Sequence, residues 1–119
     1  MKYMVLIASD GETWAGIGEA EQAQIYGRIL AWWEEHSAAG RILEGHQLQP
    51  VDTATTVRLD GDGQATVTDG PFVEAKEMVG GYAIIDVPDL DAAIALVRTW
   101  PAPDLLEIRP LVVRDGMGA

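Results

Sequence analysis

Tyr3-Met4-Val5-Leu6-Ile7-Ala8 decides how this chain folds. In an extended strand, successive side chains point to opposite faces. Tyr3, Val5 and Ile7 then share one face, and Met4, Leu6 and Ala8 share the other. A strand apolar on both faces reads as a central strand covered from each side. Val79 to Val87 has the same character, with Tyr82 and Ile84 opposite Ala83 and Ile85. The opening stretch is far shorter than the roughly 20 residues a membrane span needs. Acids follow it at Asp10 and Glu12, so it reads as a first β-strand and not as a signal peptide.

Outward from that strand, Ser9 to Gly18 reads as a Gly- and acid-rich loop holding Trp14. Glu19 to Ala39 reads as a helix: Ile25, Ile29, Trp32 or Trp33, and His36 recur at helical spacing, and Gly40 is a plausible stop. Gly27 inside it weakens the helix by about 1 kcal/mol relative to Ala. Arg41 to Leu48 reads as a strand ending before Pro50. Thr55 to Leu59 alternates, Asp60-Gly61-Asp62-Gly63 turns the chain, and Ala65 to Thr68 returns. Asp89 is placed to cap a second helix, with Leu90, Ala93, Ile94 and Val97 as its apolar stripe. Pro101 and Pro103 end that helix, and Leu105 to Val113 reads as the last strand.

The order predicts an α+β fold close to a ferredoxin-like sandwich, with a mostly antiparallel sheet, as a single domain over residues 1–119. Two helices can cover only one face of such a sheet. A second copy packed sheet against sheet would cover the other, forming a homodimer that encloses a space between subunits. The competing reading is that the central strands are apolar by propensity alone and the open face is only partly covered.

The chain has 119 residues, 48% of them apolar, enough for one core. Its net charge of −11 opposes direct binding of nucleic acid, which calls for a basic footprint. It has no cysteine, which excludes disulfides, thiolate catalysis and Cys-based zinc sites and agrees with a cytoplasmic location. His36 and His46 lack metal-ligand spacing, so no metal is expected. Gly16-Ile17-Gly18 lacks the third glycine of a dinucleotide fingerprint, and no phosphate-cradling lysine loop is present, so no cofactor is expected.

Asp69-Gly70-Pro71-Phe72 is the most distinctive stretch, followed by Glu74, Lys76 and Glu77 and then by Gly80-Gly81-Tyr82. Gly tolerates positive φ and Pro fixes its own, so the chain reverses here. With Asp86-Val87-Pro88-Asp89-Leu90-Asp91-Ala92-Ala93, the closing Glu107-Ile108-Arg109-Pro110-Leu111 and the opening strand, this pattern resembles the DGPF group of the YCII-related family over nearly the whole chain. The resemblance implies a ferredoxin-like fold forming a dimeric α/β barrel with a cleft. Some members are associated with small-molecule lyase-type chemistry, and members of the DGPF group often accompany sigma factors. The YCII branch is credited with a His–Asp pair whose His lies on the first helix. Gln24 and Tyr26 occupy that part of the helix here, and His36 lies near its far end, so the pair is not carried over.

The candidate catalytic residues are Asp69 and Glu77. Asp69 can act as a base or substrate anchor, or close an Asx-type turn through its own loop. Glu77 abuts the strand and can serve as an acid or base; with Glu74 and Lys76 it can equally form a solvated charge cluster. The candidate ligand-binding residues are Phe72, Trp14, Tyr26 and Arg109. Phe72 can wall a pocket or plug the core. Trp14 can stack on a ring-shaped ligand. Tyr26 can face the cleft or pack. Arg109 can grip an anionic group through its planar fork or pair with Glu107. Two functions remain open. One is a homodimer binding a small organic molecule, with metal-independent acid–base chemistry if it is an enzyme. The other is a non-catalytic interaction or regulatory protein acting beside the transcription machinery.

Overall fold

The two-faced strand sits where its pattern requires, between two neighbours. The computed structural model describes residues 1–71 and 76–114. Strand β1 (Lys2–Asp10) is followed by a short helix α1 (Gly11–Ala15), a long helix α2 (Glu19–Ala38) and strand β2 (Ile42–Gln47). A hairpin of β3 (Thr55–Leu59) and β4 (Ala65–Asp69) precedes β5 (Glu77–Asp86), α3 (Leu90–Val97) and β6 (Leu105–Pro110). The main sheet has the order β2-β5-β1-β6, with every neighbouring pair antiparallel. β1 and β5 are its central strands, as their apolar character on both faces predicts. The hairpin forms a separate two-stranded sheet. This α+β arrangement, with two main helices between the strands, is consistent with a ferredoxin-like fold.

The core lies on the helical side. Tyr3, Val5 and Ile7 of β1 and Ala83 and Ile85 of β5 are buried against Trp32 of α2 and Ala93 and Leu96 of α3. Asp89 caps α3 as expected, its side chain accepting from the Ala92 amide. The apolar stripe of α3 is turned from the predicted one. Ala93 and Leu96 are buried, with Ala92 and Val97 packed against the core, while Leu90 and Ile94 are largely exposed. In so short a helix, two stripes about 100° apart are both apolar, and the packing chooses between them. The predicted loop 9–18 also holds a helix, α1, which Asp10 caps by accepting from the Glu12 amide and the Thr13 hydroxyl. Local capping there outweighs the loop-like composition. β6 ends at Pro110, short of the predicted Val113, although the Leu111 amide still donates to the Lys2 carbonyl at 3.0 Å.

Aromatic packing joins the helices. Trp32 meets Trp33, His36 and Trp100 edge to face, and its indole N–H donates to the Thr99 hydroxyl at 2.8 Å. Trp33 lies over Gly45. A Cβ built at Gly45 would come within 2.5 Å of the Trp33 ring and 2.7 Å of the Tyr82 carbonyl oxygen. Gly45→Ala is therefore expected to destabilise the fold by about 1–3 kcal/mol through overpacking. Urea denaturation measures this, and an unchanged midpoint would show that Trp33 moves aside freely.

His36 is buried, and Nδ1 accepts from Arg41 Nε at 2.9 Å, which fixes the neutral tautomer with its proton on Nε2. Nε2 lies 3.2 Å from the Glu35 carboxylate but is not aligned to donate to it, and it has no hydrogen-bond partner among the described residues. Burial, followed by the Arg41 charge, lowers the His36 pKa from 6.5, and Glu35 only partly opposes this. Below pH 6.5 the unfolded chain binds a proton that the folded chain declines, so stability falls with pH down to the folded value; above 6.5 the group contributes no slope. His36→Phe is expected to flatten the stability profile in the window just below pH 6.5. Denaturation across that window checks the slope, and an identical slope in the variant would discount His36.

Candidate functional site

The chain between β2 and β3 runs beside the start of β5 and leaves an open groove of about 630 Å³. Its wall is mainly apolar, including Leu48, Val51, Ala54, Pro71, Met78 and Val79. Glu77 is the one ionisable side chain among its described lining residues. The turn that shapes the groove is built as its sequence suggests. Gly70 adopts φ +104°, its amide donates to the Ala54 carbonyl at 2.7 Å, and the Thr56 hydroxyl donates to the Gly70 carbonyl at 2.6 Å.

Farther along the β2–β5 ladder, a smaller cavity of about 100 Å³ lies between α2 and the sheet. Tyr26, Ile29 and Trp33 present one face of α2 to it, and Ile7, Gly81, Trp100 and Asp104 complete much of the wall. Asp104 organises this end of the molecule. Its Oδ1 accepts from the Ser9 hydroxyl and from Trp14 Nε1, both at 2.9 Å, and its Oδ2 accepts from Trp100 Nε1 at 2.9 Å. Trp14 in turn stacks on Tyr26, with ring centroids 5.8 Å apart and planes 25° from parallel. One carboxylate thus ties the β1 end, α1 and the segment before β6 together.

The sequence-derived candidates separate into three places. Glu77 lines the groove. Trp14 and Tyr26 meet at the Asp104 cavity. Arg109 is exposed on the sheet face away from the helices, in register with Met4, and forms no ion pair with Glu107. Asp69 is exposed at the end of β4 opposite Thr55; it does not line the groove, and its side chain makes no hydrogen bond or ion pair with a described residue. Phe72 and Glu74 lie outside the described residues. Lys76 pairs with Asp10 at 3.4 Å, tying the start of β5 to the α1 cap. Burial alone would raise the Asp10 pKa, but the Glu12 amide, the Thr13 hydroxyl and Lys76 outweigh it and hold the carboxyl below its usual value of 3.8.

Asp104 was not singled out in the sequence, where Pro101-Ala102-Pro103-Asp104 reads only as a helix stop. The available signal was indirect: partly buried indole N–H groups need acceptors, and Asp104 lies only four positions after Trp100, although 90 from Trp14. Among the described residues, no group of three or more His, Cys, Asp or Glu is placed to hold a metal ion.

A YCII-related domain model matches residues 1–113. The chain belongs to the YCII-related family. This YCII-related domain is also 30% identical over 117 residues to a protein of Rhizobium meliloti (strain 1021) that is itself described as uncharacterized, with 95% of the chain and 94% of that relative covered. No helix among the described residues is long and apolar enough to cross a membrane.

Proposed function

We propose that this YCII-related chain binds a small organic molecule in the groove beside the Asp69–Glu77 segment, as a homodimer. One observation carries the reading: an apolar groove of about 630 Å³ with a single described carboxylate, Glu77, on its wall. That volume lies within the range of small-molecule sites, in which apolar walls supply affinity and a few polar groups supply orientation. If the bound molecule reacts, Glu77 is the base, taking a proton from a polar or aromatic substrate in a metal-independent elimination. Asp69 serves at most as an anchor at the groove mouth, since it does not line the groove itself.

The dimer rests on the sheet face away from the helices. Two rows cross it in register: Glu44, Ile84, Met4 and Arg109, then His46, Tyr82, Leu6 and Glu107. The four middle residues are half-buried and the outer ones exposed. Each row has an apolar middle and opposite chemistry at its ends. A two-fold axis parallel to the strands lays β2 of one copy over β6 of the other. It brings Glu44 opposite the partner's Arg109, and His46 opposite the partner's Glu107. Tyr82 donates to Glu44 at 3.3 Å, and burial followed by the Glu44 charge raises its pKa, so it stays a neutral donor on this face.

For the groove, small aromatic and polar molecules are screened by thermal shift on the parent, Glu77→Gln and Asp69→Asn. A ligand at about 100 times its Kd stabilises the parent by about 2.7 kcal/mol. That gain should be lost in Glu77→Gln and largely kept in Asp69→Asn. Equal gains in all three proteins would remove both carboxylates from the site, and no hit at all would count against small-molecule binding.

For the dimer, light scattering at micromolar concentration should give twice the chain mass. Arg109→Glu should weaken association roughly tenfold or more by placing like charges together. Adding Glu44→Arg should restore it. A monomeric parent would overturn the dimer, and an unaffected Arg109→Glu would overturn this axis.

A further inference from the structure

We propose that the Asp104 cavity is a second binding site, and that it takes a small alkylammonium group. The site shares no lining residue with the groove and stands independently of it. The first argument is charge. A carboxylate offers about four acceptor positions. Ser9, Trp14 and Trp100 fill three, and all three donors are neutral. Among the ion pairs of the described residues, none involves Asp104. The remaining position belongs to Oδ2, which accepts only from Trp100. A partly buried carboxylate with an open lone pair and no counter-ion attracts a cationic donor.

The second argument is the wall. The rings of Tyr26, Trp33 and Trp100 border the same cavity as Asp104. Aromatic surface around an anionic group suits an organic cation, whose charge is attracted to π-systems while its methyl groups replace water against the rings. A metal ion would instead need several oxygen or nitrogen ligands converging at short distance. The third argument is size. About 100 Å³ admits a methylated ammonium head group and excludes a large ring.

The indole N–H groups of Trp14 and Trp100 both donate to Asp104, so they report directly on anything that reaches it. The test titrates the protein at pH 8 with methylammonium chloride or tetramethylammonium chloride. Sodium chloride at equal ionic strength and tert-butanol, a neutral molecule of similar bulk, are the controls. The indole proton signals in two-dimensional NMR should move saturably with the ammonium salts, Trp14 and Trp100 most strongly, and should not move saturably with either control. Methylammonium, which can donate to Oδ2, should bind more tightly than sodium does.

Asp104→Asn should weaken the ammonium effect about tenfold or more. Tyr26→Ala, at a half-exposed position where truncation spares the fold, should weaken it severalfold. Circular dichroism confirms that each variant is folded, and if Asp104→Asn does not fold, Tyr26→Ala decides. Shifts equal to those with sodium chloride, or ammonium binding unchanged in a folded variant, would overturn the proposal. Saturable binding of tert-butanol with equal strength would show an apolar cavity without charge selectivity and would also overturn it.

Discussion

A four-stranded sheet served by two main helices has one protected side, and most of what this chain does with its remaining surface follows from that shortage. The protected side holds the buried halves of β1 and β5 with Trp32, Ala93 and Leu96. Met4, Leu6 and Ile84 on the other side are only half-buried in a single chain. Burying a side chain of this kind fully is worth about 1.5–3 kcal/mol. The unprotected side is therefore the part of the sheet with most apolar surface left to bury, and charged residues stand at its margins.

The same arrangement explains why the chemistry gathers at the strand ends. The middle of the sheet is occupied by packing on one side and by the apolar rows on the other. The groove and the cavity both open where β2 and its pairing with β5 run out, at Leu48 and Val79 for one and at Gln47 and Gly81 for the other. Gly81 leaves little room there, since a Cβ would sit 3.2 Å from the His46 carbonyl oxygen. The two glycines after the Asp69–Glu77 segment thus differ: Gly81 is constrained by its neighbour strand, while a Cβ at Gly80 would meet nothing within 4 Å.

Much of the fold was legible because the pattern and the packing agree. The alternation in 3–8 and 79–87 identified the central strands, the Asp60–Gly63 turn closed the hairpin, and Asp89 marked the start of α3. Those signals are local or periodic, and local chemistry decides them. The misread stripe of α3 and the missed helix α1 lay where periodicity is short or composition ambiguous. For the candidate sites, residue type singled out Trp14, Tyr26 and Glu77, but not which of them lie together. Trp14 and Asp104 are 90 positions apart, and only the return of the chain beside β1 brings them together. A long-range polar contact of this kind leaves no periodic trace in one sequence.

β5 pairs with β1 through an irregular step: Ile7 lies opposite Gly81, yet Ala8 lies opposite Val79. One residue of β5, Gly80, has no counterpart across the ladder, and a strand carrying such an extra residue bends and twists more sharply. The start of β5, which carries Glu77 to the groove, therefore lies beyond a bend and not in line with the middle of the sheet. Changes of length or sequence upstream of that bend can be absorbed there, leaving the alternation from Gly81 to Ile85 untouched. A lineage could in this way retool the groove mouth repeatedly while inheriting the same interior unchanged.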